Sequence, residues 1–144
     1  MESTTVSTGQ TIFPGLRYRD ARAALAMLER AFGAETVVAY DDPDGTIMHA
    51  EISLAGNLIM IGTERDDDYS VRSPESVNYT TGGLYVVLPD AAAVDALFAR
   101  ASGAGAKVQR ALNDTDYGSH ECGFFDGEGH VWSFGTYRPG THRA

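Results

Sequence analysis

The sequence holds one cysteine, one lysine and one tryptophan in 144 residues, and long apolar runs are missing altogether. Cys122 has no partner for an intrachain disulfide, so the fold must rest on a packed core, and a reducing, cytoplasmic setting is expected. No stretch approaches the ~20 apolar residues that span a bilayer. The Ser/Thr-rich start, residues 1–10, lacks the apolar segment of a secretory signal. Basic residues are also scarce: 11 Lys plus Arg stand against 20 Asp plus Glu, a formal net charge of -9. A phosphate backbone would be repelled, which argues against nucleic acid as a partner, while a cationic small molecule would be attracted. The same surplus of acid also serves plain solubility.

What the chain does contain is an internal repeat. The segment Gly15–Gly33 and the segment Tyr85–Gly103 align at one constant offset that pairs Asp20 with Asp90, Met27 with Leu97, Leu28 with Phe98, Arg30 with Arg100 and Gly33 with Gly103. Each copy opens on a short strand with alternating apolar residues: Ile12, Leu16 and Tyr18 in the first, Leu84, Val86 and Leu88 in the second. Asp20 and Asp90 are N-caps for Ala-rich helices near 21–32 and 91–102, and Gly33 and Gly103 stop them. Their apolar faces are Ala24, Leu28, Ala31 and Phe32, or Val94, Leu97, Phe98 and Ala101.

Three strands follow each helix: 36–40, 46–54 and 57–62, then 107–112, 120–125 and 130–136. Asp41-Asp-Pro-Asp-Gly45 and Asp126-Gly-Glu-Gly129 are turn sequences between strands. The whole chain, 1–144, reads as one α+β domain with a first βαβββ module at 11–63, an exposed linker at 64–81 and a second module at 82–137. The tail from Pro139 reads as loose.

The helix start Tyr18-Arg-Asp-Ala21, the strand Ile47-Met-His-Ala-Glu-Ile52 and the ending Asp126-Gly-Glu-Gly-His-Val-Trp-Ser-Phe-Gly-Thr-Tyr137 resemble the vicinal-oxygen-chelate superfamily. The likeness is greatest to the glyoxalase/bleomycin-resistance/dioxygenase group with its PhnB-like branch, and runs from Ile12 to Tyr137. It implies mixed sheets curled into a cup, helices outside, ligand inside, and a homodimer. It also implies metal ligands on the first and last strands of each module in the enzymatic members. Those positions here are Phe13, Met60, Gly83 and Ser133, which supply neither imidazole nor carboxylate. No metal and no cofactor is therefore expected at the inherited site.

Strand alternation divides the remaining residues between helix and cup. Met48, Ala50 and Ile52 belong to the helix side, which turns His49 and Glu51 into the cup. Cys122 and Phe124 face the helix, while Glu121, Gly123 and Phe125 face inward; Trp132 and Phe134 are core residues. Phe13, Arg17 and Tyr85 join the inner face from the first strands. The ligand-binding set is thus Phe13, His49, Glu51, Met60, Tyr85, Glu121 and Phe125. His49 and Glu51 have a spacing suited to moving a proton, or to a purely structural hydrogen bond. Cys122 reads as a small core residue, and His130, at the last turn, as exposed.

Three functions fit this pattern. One is a non-catalytic protein that sequesters a drug or metabolite, as bleomycin-resistance proteins do. The second is a lyase, isomerase or dioxygenase with relocated metal ligands drawn from His49, Glu51 and Glu121. The third is a metal-free enzyme using His49 or Glu51 as acid or base.

Overall fold

Two helices start where a carboxylate can take up the free N–H groups of the first turn. The Asp20 side chain accepts from the Ala23 N–H at 3.0 Å, and the Asp90 side chain from the Ala93 N–H at 2.9 Å. The computed structural model describes residues 9–141 of the chain. Helix α1 spans Ala21–Phe32 and ends at Gly33, whose φ of 77° is left-handed. A four-residue helix, α2, spans Pro74–Val77, and α3 spans Ala91–Gly103. The second long helix runs through Gly103 instead of stopping at it; the chain reverses at Ala104 and Gly105, where φ is +86°.

Eight strands form two mixed sheets. The first holds β1 (Gly15–Tyr18), β2 (Glu35–Asp41), β3 (Ile47–Leu54) and β4 (Asn57–Thr63), in the order β1-β4-β3-β2. The second holds β5 (Gly83–Val87), β6 (Lys107–Asp114), β7 (His120–Phe125) and β8 (Val131–Gly135), in the order β5-β8-β7-β6. In each module the opening strand lies parallel to the last one and the other pairings are antiparallel. The helix makes the long crossover that precedes the three-stranded meander. The two βαβββ modules expected from the repeat are therefore present, and the sheets stay separate within the chain.

One core serves both halves. Ala24, Leu28, Ala31 and Phe32 are buried on α1, and Val94 and Ala101 on α3, where Leu97 and Phe98 are partly covered. The Phe32 ring crosses between modules: its centroid lies 5.4 Å from that of Trp132, 5.1 Å from Phe134 and 6.1 Å from Phe124. A fully buried side chain of this kind contributes about 1.5–3 kcal/mol through lost apolar exposure.

Four further placements differ from the sequence reading. Ile12 precedes β1 and is 86% exposed, because the sheet begins only at Gly15. Met48 is 47% exposed: the pairing jumps from Tyr40↔His49 to Asp41↔Ile47, so a bulge at Met48 puts Ile47, not Met48, in phase with Ala50 and Ile52. His130 is 8% exposed, with its Nε2 donating to the Arg17 carbonyl at 3.0 Å and its ring edge-on to Tyr18. The linker is exposed over much of its length but buries Ser73 and Pro74 around α2. Residues 1–8 and His142 lie outside the described residues.

The core assignment is tested by truncation. Trp132→Ala should lower unfolding free energy by about 3–5 kcal/mol, through the cavity it leaves. Asp126→Ala should cost about 2–3 kcal/mol by orphaning the Trp132 indole N–H and the Tyr18 hydroxyl, which it accepts at 3.0 and 2.5 Å. Urea midpoints at constant slope give both values.

Candidate functional site

The inner face of the first sheet is built where β1, β4 and β3 run side by side. Gly15 pairs with Met60, and Met60 pairs in turn with Glu51. Beside this row the His49 imidazole donates from Nε2 to the Glu51 carboxylate at 2.9 Å, and Tyr40 stacks near the imidazole, 6.4 Å between centroids. His49, Met48 and Met60 line a shallow depression of about 210 Å³ with Gly15, Leu16, Arg17 and Tyr69.

Tyr69 and Asp67 were not singled out by alternation, because they belong to the linker. The Arg17 guanidinium grips the Asp67 carboxylate with two bonds of 2.8 and 2.9 Å and lies 4.7 Å above the Tyr69 ring. Hydrogen bonding from Arg17 holds the Asp67 carboxyl below the usual range. The linker is thereby folded back on β1. The Tyr69 hydroxyl sits 2.7 Å from the point a Cβ on Gly15 would occupy, so the phenol fills the space of a β1 side chain.

The second sheet carries the related arrangement. Tyr85 pairs with Ser133, and Glu121 with Gly135. A Cβ on Gly135 would meet the Tyr85 hydroxyl at 2.6 Å and Glu121 Cγ at 2.8 Å, so this glycine lets the two side chains close over the strand. The Tyr85 hydroxyl donates to the Tyr137 carbonyl at 2.7 Å, and Tyr117 donates to Glu121 at 3.2 Å. Burial pushes the Tyr85 phenol above its ordinary pKa. Phe125 lies apart from this group, 5.3 Å from the Lys107 ammonium. Phe13 precedes β1 and is partly exposed.

Between the modules, a cavity of about 680 Å³ is walled by Gly15 and Leu16 on β1, by Gly83, Leu84 and Tyr85 on β5, and by the linker. His130 closes its floor and Arg72, Val77 and Tyr79 stand on the linker side. Arg72 is paired with Glu64 and Asp66. This cavity shares Gly15 and Leu16 with the depression at His49. The seven residues expected to line one cup thus divide: His49, Glu51 and Met60 gather on the first sheet, Tyr85 and Glu121 on the second, while Phe13 and Phe125 lie aside. Among the described residues, no three His, Cys, Asp or Glu side chains converge at metal-binding distance.

Residues 10–134 match the family model of the glyoxalase/bleomycin resistance protein/dioxygenase superfamily. The chain belongs to this superfamily. An uncharacterized protein of Mycobacterium bovis is 30% identical over 132 residues, covering 90% of this chain and 85% of its own length. The crystal structure of TioX from Micromonospora sp. ML1 superposes with a TM-score of 0.68 at 26% identity, covering 92% of this chain and 100% of TioX. The fosfomycin resistance protein FosX of Listeria monocytogenes shares the fold, with a TM-score of 0.67 at 16% identity over 92% of this chain and 97% of FosX.

Enzymatic members of the superfamily use a metal held from the first and last strands of the modules. The side chains on the paired rows here are the Met60 thioether, the Tyr85 phenol and the Ser133 hydroxyl, and Gly15 has none. A divalent metal in such folds wants imidazole and carboxylate donors. The residues present do not fit it. The β1 and β5 positions opposite Met60 and Ser133 are Gly15 and Tyr85, two residues beyond Phe13 and Gly83.

Cys122 is buried, and burial pushes its thiol up to about 11. It should resist a disulfide exchange reagent at about pH 8, where little thiolate forms, and react fully once the protein is unfolded. Thiol titration with and without denaturant checks this. Rapid native labelling would return Cys122 to the list of reactive groups.

Proposed function

We propose that the protein is a small-molecule-binding member of this superfamily that sequesters a drug or metabolite without the inherited metal. The observation that carries this reading is the cavity of about 680 Å³ at Gly15 and Tyr85, where the paired rows offer no metal donors. Its size suits a drug-like ligand, and its walls combine apolar side chains and the Tyr79 and Tyr85 rings with the polar groups of Arg72, Thr80, Thr81 and His130. Glu51 lies behind the Gly15 wall, across Met60, and Glu121 lies beside the Tyr85 hydroxyl at Gly135, while the chain carries a formal net charge of -9. Carboxylates beside aromatic rings favour a ligand with a cationic or hydrogen-bond-donating group. Membership of the PhnB-like branch within the superfamily belongs to the same reading. A homodimer and a cytoplasmic location belong to the same reading. The free edges of β1 and β5 and exposed Val37, Tyr40 and Val108 are surfaces a second copy would cover.

A thermal-shift series tests this reading, with bleomycin and other cationic aromatic antibiotics set against fosfomycin as an anionic control. A cationic compound at about 100 times its Kd should add about 2.7 kcal/mol of stability, raising the melting temperature by several degrees. Glu51→Gln and Glu121→Gln should each weaken that compound about tenfold or more while the ligand-free melting temperature stays put. Stoichiometric bound metal, lost to a chelator together with an enzymatic activity, would overturn the reading. So would unchanged affinity in both variants.

One observation favours a second function. His49 is held by Glu51 at 2.9 Å at the edge of the depression, the arrangement of a base and its orienting carboxylate. If the protein turns a substrate over, His49→Ala should abolish turnover and leave ligand affinity within about threefold.

A further inference from the structure

His120 stands apart from the groups used above. It opens β7, and its imidazole lies between two carboxylates that come from different elements. Nδ1 is 2.7 Å from Asp114 at the end of β6, and Nε2 is 2.7 Å from Asp95 on α3. A neutral imidazole has one N–H and one lone pair, so it can donate to only one of two carboxylates. Two short contacts to acceptor-only groups require the imidazolium. The charged groups acting on the ring are these two carboxylates; both raise its proton affinity, against a smaller opposing effect of burial. The Thr136 hydroxyl accepts from the His120 backbone N–H at 3.0 Å. Glu121 is directed to Tyr117.

The clasp closes a particular segment. Residues 115–119 form the loop between β6 and β7, held by the Thr115 N–H to Ser119 carbonyl bond of 2.8 Å and the Gly118 N–H to Thr115 carbonyl bond of 3.2 Å. Tyr117 in this loop meets Tyr137 edge-on at 5.5 Å and reaches Glu121. The tie to Asp95 is the described side-chain bond that anchors the base of this hairpin to α3.

We propose that Asp95, His120 and Asp114 form a proton-operated clasp that fastens the β6–β7 hairpin to α3 and slackens when His120 loses its proton. With His120 neutral, one of the two bonds becomes a contact between lone pairs, and either the Asp114 carboxylate or the Asp95 tie to α3 must turn away. The sign follows from the raised proton affinity in the folded state. The stabilisation is complete below the ordinary histidine value of 6.5 and fades as pH rises through the higher, folded value. Slackening would also free Tyr117 and Glu121. That consequence for ligand affinity rests on the binding reading above, whereas the clasp itself does not.

The test is an NMR titration of the His120 ring, from about pH 5 to pH 9, in the full chain without ligand. Backbone hydrogen exchange at 114–120, corrected for its intrinsic pH dependence, is followed in parallel. The ring should titrate above 6.5, and hairpin protection should fall through the same midpoint. Asp95→Asn and Asp114→Asn should each move the midpoint down by about one pH unit. His120→Gln should remove the fall in melting temperature over that window. A ring midpoint at or below 6.5, or hairpin protection that is the same on both sides of the midpoint, overturns the clasp. If His120→Gln does not fold, the wild-type titration and the two Asn variants still decide. Failure of every antibiotic to bind leaves these readouts untouched, so the two proposals fall separately.

Discussion

A buried carboxylate at the last turn, Asp126, ties the two modules of this fold together. It accepts from the Tyr18 hydroxyl of the first module at 2.5 Å and from the Trp132 indole at 3.0 Å, and also from the backbone N–H groups of Glu128 and His130. A buried charge is tolerated only when its lone pairs are met, and four donors meet this one. Burial and the neighbouring Asp126 together push the Tyr18 phenol well above its ordinary pKa, which keeps it a donor throughout. The adjoining Glu128 extends the tie: its carboxylate takes the Arg19 and Asp20 N–H groups at 2.6 and 2.9 Å and the Ser73 hydroxyl at 2.6 Å. One four-residue turn thus fixes the end of β1, the start of α1 and the linker. The opposite end of α1 is held from the other module too, since Arg100 donates to the Glu29 and Arg30 carbonyls.

These ties explain which parts of the fold could be read from sequence. Helix α1 matched residue for residue, and β7 did as well, because each depends on local signals: a capping Asp, a terminal Gly, a period-two apolar pattern. The errors fell where a distant partner decides. His130 looks like a turn residue, and only Arg17 and Tyr18, more than a hundred positions away, bury it. Met48 keeps the parity of a regular strand in the sequence, whereas the bulge that expels it is set by pairing with β2. Gly103 resembles Gly33 at the repeat offset, yet the turn moved to Gly105, which alone of the two has a positive φ.

The site was legible to a lesser degree, for a related reason. Alternation brought His49 and Glu51 to the same face, and it placed Tyr85 and Glu121 on theirs. Alternation works within a strand and says nothing about what folds back over it. Tyr69 and Asp67 lie in a linker whose composition signals exposure, and the signal that could have found them is Arg17, a cation on an inner strand face that needs a carboxylate partner. The same arginine reads as a wall of a cup in sequence and as an anchor for the linker in the structure.

The repeat bears on how the two carboxylates came to differ. Gly15 and Tyr85 stand 70 positions apart, the offset that separates Asp20 from Asp90, and the rows they open run Gly15–Met60–Glu51 and Tyr85–Ser133–Gly123. The register therefore matches Glu51 with Gly123, and Glu121 with His49, so the two carboxylates hold different places in the repeat. Glu51 pairs across to Met60 and holds His49, whereas Glu121 pairs across to Gly135, leaving room for Tyr85 to close over the strand, and holds Tyr117. A symmetric frame therefore carries one carboxylate beside an imidazole and another beside a phenol. His49, two residues before Glu51, answers to Glu121, two residues before Gly123. The glycine at the place of Glu51, Gly123, carries no side chain to hold its neighbour, so Glu121 takes its hydrogen bond from the β6–β7 loop, through Tyr117, where His49 finds its partner on its own strand.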